Sequence, residues 1–207
     1  MQFYDIVAVE GLSILRGLES LPHAIEQAAV RAVNRTADYA AAEARRRMRD
    51  QIAFPARYLT ERGADGRQRL GITQMAKRGA IEATITGRHR PTSLARFMQG
   101  SGRNGVRLQV EPGGQTQSQR MFVLRLRAGN ADIDTKSNLG LAIRLRKGER
   151  IENKHRMVPM GNSGLYLLYG PSVDQLFRTV RGDISPETAD RLEREFLRLV
   201  DLKGLVQ

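Results

Sequence analysis

The spacing of apolar residues predicts one long helix near the start of the chain. Between Leu21 and Ile52, glycine and proline are absent after Pro22, and helix-favouring alanine, glutamate, glutamine and arginine fill the interior. An apolar stripe recurs every three or four residues, as on one face of a helix. Its members are Ile25, Ala28, Ala29, Ala32, Thr36, Tyr39, Ala40 and Met48. At 1.5 Å per residue such a helix extends about 45 Å, so it either packs on a sheet of its own chain or reaches a neighbouring subunit.

Apolar and polar residues alternate through the middle of the chain, a pattern typical of strands with one buried face. Residues 70–74 and 81–87 alternate on either side of a glycine-containing link, which predicts a β-hairpin. Residues 161–170 predict a final, more buried strand, and residues 55–62 predict one or two helical turns. Three further strands are predicted at Val106, Leu108 and Val110, at Phe122, Leu124 and Leu126, and at Leu141, Ile143 and Leu145.

Capping signals predict the remaining helices. Thr92 or Ser93 would act as the N-cap of a short helical turn, because both side chains can accept a hydrogen bond from a free N–H. A short helix is expected after the glycine–proline pair at 170–171. A separate amphipathic helix is then expected over 185–204, with Ser185 as its N-cap and a proline in its first turn.

Strands that cluster between helices predict an α+β fold, because an α/β fold would alternate the two kinds of element. In this architecture the long N-terminal helix packs on an antiparallel β-sheet. We expect one domain over 1–207. Residues 1–20 could form a strand of this domain or an arm that pairs with a neighbour. The glycine- and glutamine-rich segment 112–120 is expected to be a mobile loop.

The charge of the chain suggests its partners. The 207 residues carry a net charge of +12, and the isoelectric point is about 10.9. A polyanion, either nucleic acid or an acidic protein surface, is the natural partner of such a chain. Cysteine is absent, which removes disulfides and thiolate metal sites. No apolar run is long enough to cross a membrane, and the N-terminus lacks the basic region of a signal peptide.

Two charged segments have alternative interpretations. Four arginines, Arg45, Arg46, Arg47 and Arg49, lie at the end of the long helix. They could contact DNA or an acidic partner, or they could form a solvated face that complements the helix dipole. Residues 183–201 instead hold six acids against three arginines. This acidic helix could associate head to tail with the basic body of another copy, or it could cover its own sheet.

Catalytic patterns are not found. His23, His89 and His155 have no second histidine at metal-ligand spacing, and HExxH and GxSxG motifs are absent. We therefore expect no enzyme, no cofactor and no bound metal, and a hydrolase is a remote alternative. Helix-turn-helix, zinc-finger and RNP patterns are also absent. A non-specific DNA-binding protein is the main alternative to the function considered next.

Four segments resemble the minor tail protein Z family of long-tailed phages. They are AVNRTADYAAAEARRRMRDQ at 32–51, FPARYLTER at 54–62, RHRPTSLARF at 88–97 and LYLLYGPSVDQLF at 165–177. No single segment is strongly specific, and their order and spacing carry the resemblance. The segment at 111–119 and the strand at 139–147 depart from the family pattern.

The resemblance implies a structural virion protein that acts in tail completion at the neck. It implies a ring of identical copies, most simply a hexamer, that joins the head-proximal end of the tail to the head connector around the DNA path. The expected partners are other copies, tail terminator and tail tube proteins, head connector or adaptor proteins, and genome DNA, with no membrane. Such a protein is assembled in the host cytoplasm and resides in the virion. The candidate interface residues are Gly170, Pro171, Val173, Leu176 and Phe177, although a glycine–proline turn can also be purely structural.

Overall fold

The structure is a computed structural model that describes residues 7–8, 23–63, 66–126, 139–146, 148–149, 156–161 and 164–202. Within these ranges, two long helices and eleven short strands give an α+β fold, as the sequence predicts. The helices are α1, His23–Gln51, and α2, Val173–Asp201. The strands are β1 Val7–Ala8, β2 Leu70–Gln74, β3 Thr84–Gly87, β4 Pro91–Ser93, β5 Met98–Gly102, β6 Gly105–Leu108, β7 Thr116–Ser118, β8 Met121–Arg125, β9 Leu139–Arg144, β10 Met157–Pro159 and β11 Leu165–Ser172.

Helix α1 confirms the long helix and buries most of its predicted stripe within the same chain. Ala28, Ala29, Ala32, Thr36, Ala40 and Met48 are all buried. The second long helix covers much of this face in an antiparallel arrangement, since Arg35 pairs with Glu195 while Gln51 accepts a hydrogen bond from Thr179. Small alanine side chains let two helix backbones come close together, so the stripe serves packing inside one molecule.

Helix α2 corrects the prediction of two separate C-terminal helices. It is continuous from Val173, and Ser172 is its N-cap in a capping box with Gln175. Pro186 lies inside the helix and not in a first turn. A proline there removes one backbone hydrogen bond and crowds the residue four positions earlier. The crowded group is the backbone carbonyl of Gly182. Buried residues on either side of the proline, Ile184 and Thr188, hold the helix in place by packing.

A small sheet has the order β1-β3-β2, and all its pairs are antiparallel. Its β2–β3 pair is the predicted hairpin. Strand β1 pairs with β3 of its own chain through Val7 and Ala8. The part of the predicted arm 1–20 that the structure describes is therefore a strand of this fold, and the rest of the arm lies outside the described residues.

The remaining strands form two packed sheets. A five-stranded sheet has the order β10-β11-β9-β8, with β4 also paired to β11, and a three-stranded sheet has the order β5-β6-β7. Val106 and Leu108 of the smaller sheet pack with Leu141 and Leu168 of the larger one. Segment 112–120 is corrected here, because it contains strand β7, which pairs along β6, and is not simply a loop.

The sequence predicted the conformation of one connection, residues 94–97, but not that of another, residues 55–62. Ser93 caps a 3₁₀ helix over Leu94–Phe97, as expected, and accepts a hydrogen bond from the Ala95 N–H. Residues 55–62 form hydrogen-bonded turns and no helix, because Arg57 has a φ of 66°, which lies in the left-handed region. A non-glycine residue in that conformation interrupts a right-handed helix. Strands β4, β5 and β10 were not predicted.

Candidate functional site

A cluster of aromatic rings lies where the helix pair meets the sheets. Tyr58 is 2% exposed, and its ring stacks on Phe54 at a centroid distance of 5.3 Å. Phe54 also contacts Phe97 at 5.7 Å. Met48 of α1 and Phe177 of α2 belong to the same buried core. This core, which we name the junction, contains residues of α1, of 54–59, of 94–97 and of α2.

Three guanidinium groups surround Tyr58 in the junction. The guanidinium carbon of Arg69 lies 4.2 Å from the ring centroid, and those of Arg88 and Arg96 lie at 6.0 Å. Arg69 has a fully buried side chain and donates to the Tyr58 carbonyl at 2.8 Å and to Glu61 at 3.0 Å. These distances fit cation–π contacts. The arginines therefore fasten the turn at 55–62 to the sheets.

The phenol of Tyr58 links two segments by hydrogen bonds. Its oxygen accepts from Arg88 Nη2 at 2.8 Å, and its hydroxyl donates to Thr92 Oγ1 at 3.3 Å. Thr92 is fully buried. A buried phenol that bonds on both sides is satisfied as a structural group, and no nucleophile paired with a base is formed by these atoms.

The beginning of α2 is bound to the junction through Asp174. Its backbone N–H donates to the Arg88 carbonyl at 3.1 Å. Its buried carboxylate lies 3.3 Å from His89 Nδ1 and 3.0 Å from Arg178 Nε. Burial raises the pKa of Asp174, which outweighs the opposite effect of His89 and Arg181. A Cβ on Gly87 would come within 2.8 Å of Asp174 Cα, so only glycine permits this approach.

The candidate interface at 170–177 is corrected by its burial. Val173, Leu176 and Phe177 are 0%, 7% and 2% exposed, and all three belong to the core of their own chain. Gly170 is also buried, with Leu94 and Phe97 beside the position of its missing Cβ. Pro171 alone of the five candidates is partly exposed. The apolar spacing that continues from this corner into α2 was the signal for a core helix.

The arginines at the end of α1 mostly contact their own chain. Arg45 is half-buried and donates to the Leu70 carbonyl at 3.4 Å. Arg46 and Arg47 both donate to Glu43, at 2.9 and 2.8 Å. These two arginines lower the pKa of Glu43 from 4.5 to about 2. Arg49 is exposed, so the predicted four-arginine contact surface is reduced to its outward-facing members.

The acidic residues of α2 also meet basic residues of α1. Arg47 Nη2 donates to Glu187 at 2.9 Å. Glu195 bonds to Arg35 and to Arg198, and these two arginines lower its pKa to about 2. These ion pairs favour the interpretation that this side of α2 covers its own chain. Head-to-tail contact with another copy stays a prediction for the acids that face solvent.

The positive charge is concentrated in the middle of the chain, which the separate motifs do not reveal. Residues 83–161, the basic segment, hold fifteen arginines and lysines against five acids, so they carry +10 of the total +12. Residues 162–207 hold six basic and seven acidic residues, a net of −1. Within the described ranges, the following exposed arginines of the basic segment form no ion pair: Arg103, Arg107, Arg125, Arg144 and Arg156. Counting charge by segment would have found this signal.

Groups suited to metal chemistry are not assembled in the part of the chain that the structure describes. No cluster of three His, Asp or Glu side chains there could hold a metal ion. His23 is exposed and bonds to Gln27, His89 faces Asp174, and His155 lies outside the described residues. Of the described helices, none has the length and apolar character needed to span a bilayer.

The structure is an α+β fold in which a nearly neutral helix pair is joined to a strand-rich segment, 83–161, whose sequence is strongly basic. Comparison with protein-family models, with curated proteins and with solved structures gives no significant match. The function must therefore be argued from the residues of this chain.

Proposed function

We propose that the chain is a structural virion protein of a tailed phage, a tail-completion or neck ring subunit. The observation that carries the proposal is the separation of charge: +10 lies in the basic segment, and the helix pair neutralises its own charges. A basic face attracts a polyanion over a distance, as a subunit around a DNA path requires. The four family-like segments, which meet at the junction, add support.

Its partners in this role are other copies of itself, the tail terminator or tail tube proteins, and the head connector or adaptor proteins. Copies that bind one another through two different surfaces form a closed ring when the rotation between them closes, and six copies match the usual symmetry of a tail tube. Genome DNA passes through the lumen without sequence-specific contact. The protein is assembled in the host cytoplasm and remains in the tail or neck of the virion.

The decisive experiment is imaging of phage particles from a host in which the gene is intact or deleted. We expect a ring of this chain between head and tail in the first case, and unjoined or nonfunctional heads and tails in the second. Complementation with the wild-type chain should restore joined particles. Intact infectious particles without the gene, or particles that lack the protein, would refute the proposal.

The alternative, a non-specific DNA-binding protein outside the virion, is favoured by the same exposed arginines. The two functions differ in location and assembly. A DNA-binding protein would bind duplex DNA as a monomer and be absent from purified particles. A neck subunit would be present in particles in a fixed number of copies.

A further inference from the structure

We propose that the outer face of the β5-β6-β7 sheet contacts the phosphate backbone of double-stranded DNA. This inference rests on the DNA path in the proposed function and names the surface that faces it. It replaces the arginines of α1 as the candidate DNA contact, because Arg46 and Arg47 already bind carboxylates of their own chain.

The two faces of strand β6 differ sharply in character. Val106 and Leu108 are 2% and 3% exposed and pack against the larger sheet. Arg107 lies between them, so its side chain must leave the opposite face, and it is exposed. In the sheet register Arg107 is opposite Gly100 of β5 on one side and Gln117 of β7 on the other. One row of the outer face is thus glycine, arginine and glutamine.

Glycines make this face shallow. A Cβ built on Gly100 would lie 3.3 Å from Arg107 Nη2, so the guanidinium lies beside a position without a side chain. A Cβ on Gly102 would have no atom within 4 Å. Arg103 and Asn104 occupy the exposed turn between β5 and β6, and Gln117 Nε2 donates to the Asn104 carbonyl at 3.0 Å. A DNA strand could approach this surface without displacing bulky groups.

The composition of the face favours DNA over an acidic protein. Residues 98–118 contain two arginines, Arg103 and Arg107, and one acid, Glu111, which lies in the connection between β6 and β7. None of the large apolar residues that the structure exposes lies in 98–118. Protein interfaces have a desolvated centre enriched in aromatic residues and methionine, whereas DNA interfaces are more polar and much more positive. Arginine, asparagine and glutamine side chains are common donors to phosphate, which predicts contact that is independent of base sequence.

The test is the salt dependence of binding to a short fluorescent DNA duplex, measured by anisotropy with the full chain. We expect the double variant R103Q/R107Q to bind more weakly. The negative slope of log K against log salt should become shallower by about 2, because two phosphate contacts are lost. The matched control is R31Q/R194Q, which removes two exposed helix arginines and should leave the slope unchanged. Thermal unfolding of both variants checks that they are folded.

The proposal would be overturned by a failure of the wild-type chain to bind duplex at low salt, by an unchanged slope in R103Q/R107Q, or by an equal loss in the control. Competition by polyglutamate as strong as that by unlabelled duplex would identify an acidic protein as the partner and would also overturn it. Particle composition separates this outcome from the proposed function. A chain that is present in the neck but does not bind duplex refutes only the DNA surface, and one that binds duplex but is absent from particles refutes only the neck role.

Discussion

The helix pair and the basic segment differ in how many of their charged side chains form ion pairs within the chain. Along α1 and α2, Glu43, Glu187 and Glu195 each bind arginines of the same chain. In the basic segment, Arg120 pairs with Glu149, but the following exposed arginines form no ion pair among the described residues: Arg103, Arg107, Arg125, Arg144 and Arg156. An arginine that is paired with a carboxylate of its own chain offers little attraction to a partner, whereas an unpaired arginine is available to bind one. The comparison assigns stability to the first region and interaction to the second.

The two regions also differ in packing. The helix pair buries small residues such as Ala28, Ala32 and Ala44, which contribute little area each but allow close approach. Larger side chains are concentrated where the helices meet the sheets, with Phe177 at the centre. Substitutions in the helix pair should therefore change stability, and substitutions on the outer face of the smaller sheet should change binding alone.

The largest effect is expected from Phe177→Ala. This side chain is 2% exposed and packs in the junction, so its loss removes apolar contacts and leaves a cavity. We expect the free energy of unfolding to fall by about 3–5 kcal/mol, measured by urea denaturation of the isolated chain.

The matched control for this variant is Leu197→Ala on the same helix, where the side chain is 55% exposed. It should change stability by about 0.5 kcal/mol or less. Equal stability of the Phe177→Ala and wild-type chains would contradict the core assignment. Phe177 would then again be a candidate interface residue, as the resemblance implies.

A smaller loss is expected from Ala44→Leu. Ala44 is fully buried between α1 and its neighbours, and extra methyl groups there would force the helices apart. Overpacking of this kind costs about 1–3 kcal/mol. Ala42→Leu, at an exposed position of the same helix, should leave the unfolding midpoint nearly unchanged. The close-packed description of the helix pair is wrong if both variants unfold alike.

Periodicity predicted α1 because the burial of that helix is one-sided. The β2–β3 hairpin was predicted from two apolar stretches on either side of a glycine-containing link, although all four residues of β3 are buried. It failed at α2 because Ser185 followed by Pro186 is an ordinary signal for a helix start. Packing of Ile184 and Thr188, buried on either side of that proline, decides the outcome. Local sequence does not contain the energy of such tertiary contacts.

The junction was beyond prediction for a related reason. Three separate stretches of the chain supply Tyr58, Arg69, and the pair Arg88 and Arg96. Alternation of apolar residues does not indicate which stretches meet. Arginine is also rarely buried in full, so Arg69 looks like a surface residue in the sequence. The resemblance covers two of these stretches, 54–62 and 88–97, and leaves out Arg69. It also could not show that these residues enclose one aromatic ring.

The smallest effect is expected from the ion pairs of the helix pair, and it depends on pH. The pKa of both Glu43 and Glu195 is lowered from 4.5 to about 2 by their arginines. Their contribution to stability is therefore complete above about 4.5 and is lost as the pH falls towards 2. The double variant E43Q/E195Q should be less stable than wild type at neutral pH, and this difference should shrink as the pH falls from about 4.5 and vanish below about 2. Because Arg35 and Arg46 are more than half exposed, solvent screens the pairs and keeps the effect small.

Glu193→Gln, at an exposed position without an ion pair in the described ranges, is the control and should match wild type at neutral pH. A stability difference for E43Q/E195Q that is constant across this pH range would show that these carboxylates do not hold the helices together, and the contrast with the basic segment would then rest on packing alone.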